Sequence, residues 1–248
     1  MSDRFRLIYL KSTDFEKSKG DEPRSFYSSG GIPRGDSPST ESRMTGTFST
    51  QAILKQAHTD LENPDPKARI LAIRYLENSD PSITLPLLQK VLFDKDPEVR
   101  IQALSSLMKF QHANIIPLFK KSLKDKDPRV RLLAIRGMFR KEEKIDLNLL
   151  LQFLSDESPW VRRKLATLLG WSQNEGVFPI LTELCKDKDA GVRKAALFSL
   201  STLYPEESED RLVGAMADSD PDIRKWARGT LEKMAARPRK GSRFPVSH

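Results

Sequence analysis

Cysteine, histidine and glycine are scarce in this 248-residue chain, at one, three and 12 residues. The single cysteine, Cys185, excludes an internal disulfide framework and a cysteine-based zinc site, and it suits a reducing compartment. His58, His112 and His248 stand apart, with no His-Glu-x-x-His run, so a helical zinc or di-iron centre has no ligand set. Gly30 and Gly31 precede no helical pattern and make no phosphate-cradling loop. No apolar run reaches the about 18 residues that a membrane-crossing helix needs. The residues after Met1 lack the apolar centre of a secretory leader. A cytoplasmic, monomeric protein without metal or cofactor is expected.

Charge is abundant instead. Charged residues make up 31% of the chain and hydrophobic ones 38%, a balance that suits a thin, high-surface fold with disordered ends. The net charge is +8, and half of it sits in the last 14 residues, where Arg237, Arg239, Lys240 and Arg243 face no acid. That tail is the expected contact for any anionic partner. Residues 1–50 hold 23 Ser, Thr, Gly and Pro, too little apolar surface to offset the entropy of ordering. Segments 1–48 and 236–248 are therefore expected to be disordered, with Pro238 and Gly241 breaking any helix in the tail. The patch Phe5, Leu7, Ile8, Tyr9 and Leu10 is open to three readings: a short strand, a docking motif, or a terminus without a role.

Between the ends runs a repeat. Arg69, Arg100, Arg131, Arg162, Arg193 and Arg224 stand 31 residues apart without insertion or deletion. Four positions before each come Asp65, Asp96, Asp127, Ser158, Asp189 and Asp220, with proline next in five of the six units. An Asp or Ser oxygen caps free backbone N–H groups at a helix start, and proline suits the first helical position. Counted from the arginine, apolar residues fall at −1, +3, +4 and +7, the stripe of an amphipathic helix. This helix, B, should run about 12–14 residues. A second stripe upstream, such as Leu85, Leu88, Val91 and Leu92, marks helix A, with Pro86, Pro117 and Pro179 expected in its first turn. One hairpin cannot bury its own apolar face, so hairpins stack. The expected fold is all-α, a right-handed α-solenoid of six 31-residue hairpins over residues 49–235. Cys185 falls in the column of Leu61, Leu92, Leu123, Leu154 and Met216 and reads as a small buried hydrophobe rather than a reactive thiol. Arg228 stands in a core column that is apolar elsewhere, as suits a last unit with nothing stacked on it.

Residues 92–104, LFDKDPEVRIQAL, and 123–135, LKDKDPRVRLLAI, resemble the short HEAT-like repeats of the phycobiliprotein lyase type. The resemblance implies a ladder between adjacent repeats, built from a turn aspartate and the arginine six residues later. The matching positions are Asp94/Arg100, Asp125/Arg131, Asp156/Arg162, Asp187/Arg193 and Asp218/Arg224. On this pairing Arg131 serves Asp125, and Asn63 before Arg69 leaves the first rung in doubt. The family includes bilin lyase subunits, but most members are binding scaffolds, and the repeat does not choose between them.

The resemblance also places helix B on the concave face. At about 100° per residue, offset +5 points furthest from the core, with +1, +2 and +9 beside it. The +1 row reads Ile70, Ile101 and Leu132, then Arg163, Lys194 and Lys225. The +5 row includes Arg74 and Arg136. Such a stripe, greasy at one end and cationic at the other, suits a protein or peptide partner with an acidic end. The alternative is that the three aliphatics pack between neighbouring B helices. The expected function is a non-enzymatic scaffold binding a protein on this face. Two alternatives stand beside it: a phycobilin lyase-like subunit holding a tetrapyrrole, and nucleic-acid binding through the basic face and tail. Trp160, Trp171 and Trp226 lie in different columns, which argues against a stacking platform for bases.

Overall fold

The computed structural model describes residues 50–236 apart from 111–114, 142–144, 173 and 175, with side chains from Lys55 onward. The Phe5–Leu10 patch, His112, His248 and the Arg237–Arg243 tail lie outside the described residues, as do the expected end segments, Ala236 excepted. Twelve α-helices and no strand occur among the described residues. The A helices are α1 (Thr50–Leu61), α3 (Pro81–Val91), α5 (Ile116–Ser122), α7 (Asn148–Leu151), α9 (Val177–Leu184) and α11 (Glu209–Ala215). A 3₁₀ turn, Gln152–Ser155, prolongs α7. The B helices are α2 (Pro66–Leu76), α4 (Pro97–Leu107), α6 (Pro128–Lys141), α8 (Pro159–Leu169), α10 (Ala190–Leu203) and α12 (Pro221–Ala235). They pair as six hairpins, each stacked on the next.

The caps set where each B helix starts. Side chains of Asp65, Asp96, Asp189 and Asp220 accept backbone N–H groups in the first turn. Asp127 does the same for Arg129 at 2.8 Å. Ser158 makes no such side-chain bond, so α8 starts on Pro159 alone. One expectation about the A helices fails. Asp80 caps α3 and Pro81 begins it, which moves Pro86 from the first turn into the helix interior.

Burial follows the repeat columns. Val99, Val130, Val161, Val192 and Ile223 at offset −1 are buried, as are the alanines at +3 and Leu107, Met138, Leu169 and Leu200 at +7. The main core runs from Ile73 in α2 to Tyr204 after α10. A second cluster, Leu197, Leu212, Ala215, Ile223 and Ala227, serves the last hairpin. Neighbouring B helices of the first five hairpins pack closely, more so than the A helices. Gly137 lies where a Cβ would overlap the Phe119 ring, and Gly170 where one would overlap Ser199. The Ser199 hydroxyl donates to the Ala166 carbonyl of the preceding B helix at 2.8 Å.

The charged ladder is present, but its rungs join different residues from those the six-residue spacing implies. Each of the first five arginines grips the aspartate of the following repeat, 25 residues on. Arg69 Nε and Nη2 donate to Asp94 at 2.7 and 2.8 Å. Arg100 does so to Asp125, Arg131 to Asp156, Arg162 to Asp187 and Arg193 to Asp218, all at 2.6–2.8 Å. The residue six positions back gives only its backbone: Arg131 Nη1 donates to the Asp125 carbonyl at 2.8 Å. So Arg131 does not hold the Asp125 carboxylate; Arg100 does. The first rung is complete too. The Asn63 carbonyl accepts from Arg69, and its Oδ1 accepts the Asp65 N–H at 2.9 Å. The turn position needs an Asx oxygen to shape the loop. It needs a carboxylate only where a preceding arginine must be paired, and no repeat arginine precedes Asn63.

Candidate partner-binding face on the B helices

Positions at offsets −2, +1, +2, +5 and +9 of the B helices are exposed or half-buried, Ala195 excepted. Ile70, Ile101 and Leu132 are half-buried and pack against the main core. Packing against the core accounts for much of their apolar character. Arg163 and Lys194 in the same row are half-buried, whereas Lys225 at the end of the stack is exposed.

The exposed apolar groups of the B helices lie elsewhere. Leu71 is 54% exposed and Tyr75 77%, both on α2, and Trp160 is 42% exposed at the start of α8. The sequence carried a signal for Tyr75. It occupies the +6 column, in which Ser106, Gly137, Leu168 and Ser199 of the next four units are buried, the two serines bonded to Glu77 and Ala166 of the preceding unit. Tyr75 stands on the first B helix of the described stack, so that column is open there.

Cations surround these groups in two states. Arg129 is consumed locally: it bonds Asp127 at 2.8 Å and Glu98 at 2.5 Å, and the Asp127 carboxylate holds its guanidinium firmly protonated. Lys109 is paired with Glu77. Arg74 and Arg136 at offset +5 have no carboxylate partner among the described residues. Arg163 likewise has none, and its guanidinium lies 5.6 Å from the centre of the Trp160 ring. A cation over an aromatic face keeps its charge available while its orientation is fixed.

Other candidates resolve as structural. Cys185 packs against both core clusters, and burial pushes its thiol up to about 12, which keeps it protonated. Among the described residues no group of His, Cys, Asp and Glu side chains converges to hold a metal ion. No described helix is long and apolar enough to cross a membrane.

The family model of HEAT repeats matches residues 51–138 and 147–232, most of the chain. No curated protein sequence matches it. The solved structure of YibA from Escherichia coli is similar in fold, with a TM-score of 0.55 at 20% identity, covering 82% of this chain and 80% of that one. A designed armadillo repeat protein in complex with the peptide (KR)4 gives a TM-score of 0.49 at 18% identity, over 73% of this chain and 99% of that one. The complex of CpcE and CpcF of phycocyanin lyase from Nostoc sp. PCC7120 gives 0.48 at 17% identity, over 82% of this chain and 80% of that one.

Proposed function

The chain belongs to the HEAT-repeat family, and on that premise we propose that it is a binding scaffold whose B-helix face takes a segment of a protein partner. The observation that carries this reading is the pairing of exposed apolar groups with uncommitted cations along the B helices. Leu71 and Tyr75 lie beside Arg74 in α2, and Trp160 lies beside Arg163 in α8. Such a face suits an amphipathic segment with acidic residues. The apolar anchors supply most of the affinity, and the cations speed and orient the encounter.

The test uses the partner recovered by affinity purification and identified by mass spectrometry. Arg136→Glu with Arg163→Glu should slow association at least tenfold and flatten its dependence on salt. Tyr75→Ala should act mainly by speeding dissociation. Ile101→Asp is the wrong probe, because Ile101 supports the core. If the variants keep their helical circular dichroism and bind as the wild type does, the B face is not the site. Recovery of a polynucleotide whose affinity falls steeply with salt would favour the nucleic-acid alternative instead.

A further inference from the structure

Among the described residues the ladder is open at one end. Arg224 repeats the geometry of the five arginines before it. Its Nη1 donates to the Asp218 carbonyl at 2.7 Å and to the Ser219 carbonyl at 2.9 Å. In every earlier unit this arrangement aims Nε and Nη2 at a carboxylate of the next repeat. At Arg224 those two nitrogens have no carboxylate among the described residues. The sequence after it offers one acidic side chain, Glu232, two turns further along α12 itself.

The surface around Arg224 is what a following repeat would cover. Met216 is 38% exposed, whereas Leu92 and Leu123 in the same column are 6% and 3% exposed. Arg228 is exposed in the column where Ile73, Leu104, Ile135 and Ala166 are wholly buried. Lys225 is exposed as well. The end therefore combines an uncovered apolar contact with three cations, one of them already held in the two-pronged pose that grips a carboxylate.

We propose that the α12 end of the solenoid docks an acidic helical segment of a partner protein. Its carboxylate takes the place against Arg224 that Asp218 takes against Arg193. Two observations define the occupant. In all five internal rungs the carboxylate sits in a turn just before a helix and accepts the backbone N–H two residues on, so a segment entering a helix presents it correctly. A second copy of this chain stacked in register would offer Asn63, an amide without charge, so the ladder does not continue from copy to copy. This surface adjoins the outward face of the B helices at Lys225 and extends the scaffold reading to a second contact.

The experiment uses the full chain and a fluorescent peptide of residues 87–107 of this sequence, whose Asp94 fills the same role inside the stack. Fluorescence anisotropy should show saturable binding. Asp94→Asn in the peptide and Arg224→Ala in the chain should each weaken it at least tenfold. Arg224→Lys, which keeps the charge but loses the two-pronged grip, should recover little. Should Arg224→Ala unfold, Arg228→Glu on its exposed side chain carries the test, with a severalfold loss expected. No saturable binding overturns the proposal, as does equal affinity for the Asp94→Asn peptide or for a chain altered at Arg224. Displacement of the peptide by a dT12 oligonucleotide that binds the same end more tightly would assign the site to phosphate and also overturn it.

Discussion

Each rung arginine joins two loops at once: two carbonyls of its own turn and the carboxylate of the next. Both charged groups are buried, with side-chain exposures of 10% for Arg131 and 6% for Asp156. Removing Arg131 strands the Asp156 carboxylate, so Arg131→Ala should lower the unfolding free energy by about 3–5 kcal/mol. Urea titrations in a double-mutant cycle identify the partner. Arg131 and Asp156 should couple by at least about 1 kcal/mol, whereas the Arg131 and Asp125 side chains should be additive within about 0.5 kcal/mol. The rungs also set the response to acid. The Arg193 guanidinium holds the Asp218 carboxyl below its ordinary value despite the opposing effect of burial. At Asp187 burial pushes upward, and the Arg162 hydrogen bond, the Asp189 N–H and the Arg162 charge outweigh it. A carboxyl depressed by folding stabilises the protein above its unfolded pKa, about 4, and that stability is lost as pH falls through the folded value. Asp218→Asn removes one such contribution. Its urea midpoint should therefore fall less than the wild-type midpoint between pH 5 and pH 3.

At the scale of the helix, glycine separates packing from propensity. Gly137 in α6 faces the Phe119 ring with no room for a methyl group, whereas Gly214 in α11 has open space around it. Gly137→Ala should cost about 1–3 kcal/mol through overpacking. Gly214→Ala should add about 0.5–1 kcal/mol, since alanine loses less entropy in a helix. Thermal unfolding of the two variants should move the melting temperature in opposite directions. The helices themselves were legible because capping aspartates and apolar stripes are local signals repeated in phase. Pro86 misled because the competing cap at Asp80 lies outside the repeat columns. The ladder's residues were legible but its partners were not. A spacing of six within one turn and a spacing of 25 across a hairpin recur with the same period, so sequence alone does not distinguish them. The candidate face was half legible. Wheel geometry found the cations Arg74, Arg136 and Arg163, yet it placed the greasy end on Ile70, Ile101 and Leu132. Those residues are half-buried against the core, whose packing a single-helix wheel does not contain.

For the stack as a whole, the last hairpin has a core of its own, and α12 lacks the close contact with α10 that the other B helices make with their neighbours. Phe198 and Trp226 bridge that gap with ring centres 6.4 Å apart. A repeat array is held by nearest-neighbour interfaces, so a weakly joined end unit opens first. In variants that keep one tryptophan, the Trp226 signal should change at lower urea than the Trp160 or Trp171 signal; coincident transitions would mean that the array melts as one unit. The repeat's phase bears on its length as well. A rung spans 25 residues and the unit 31, so excising residues 101–131 brings Asp156 to the distance from Arg100 that Asp125 now holds. The cut heals its own salt bridge. Whole units can thus be lost or duplicated with every rung closed, which makes this stack a ruler whose length can change in steps of one repeat while its two ends stay as they are.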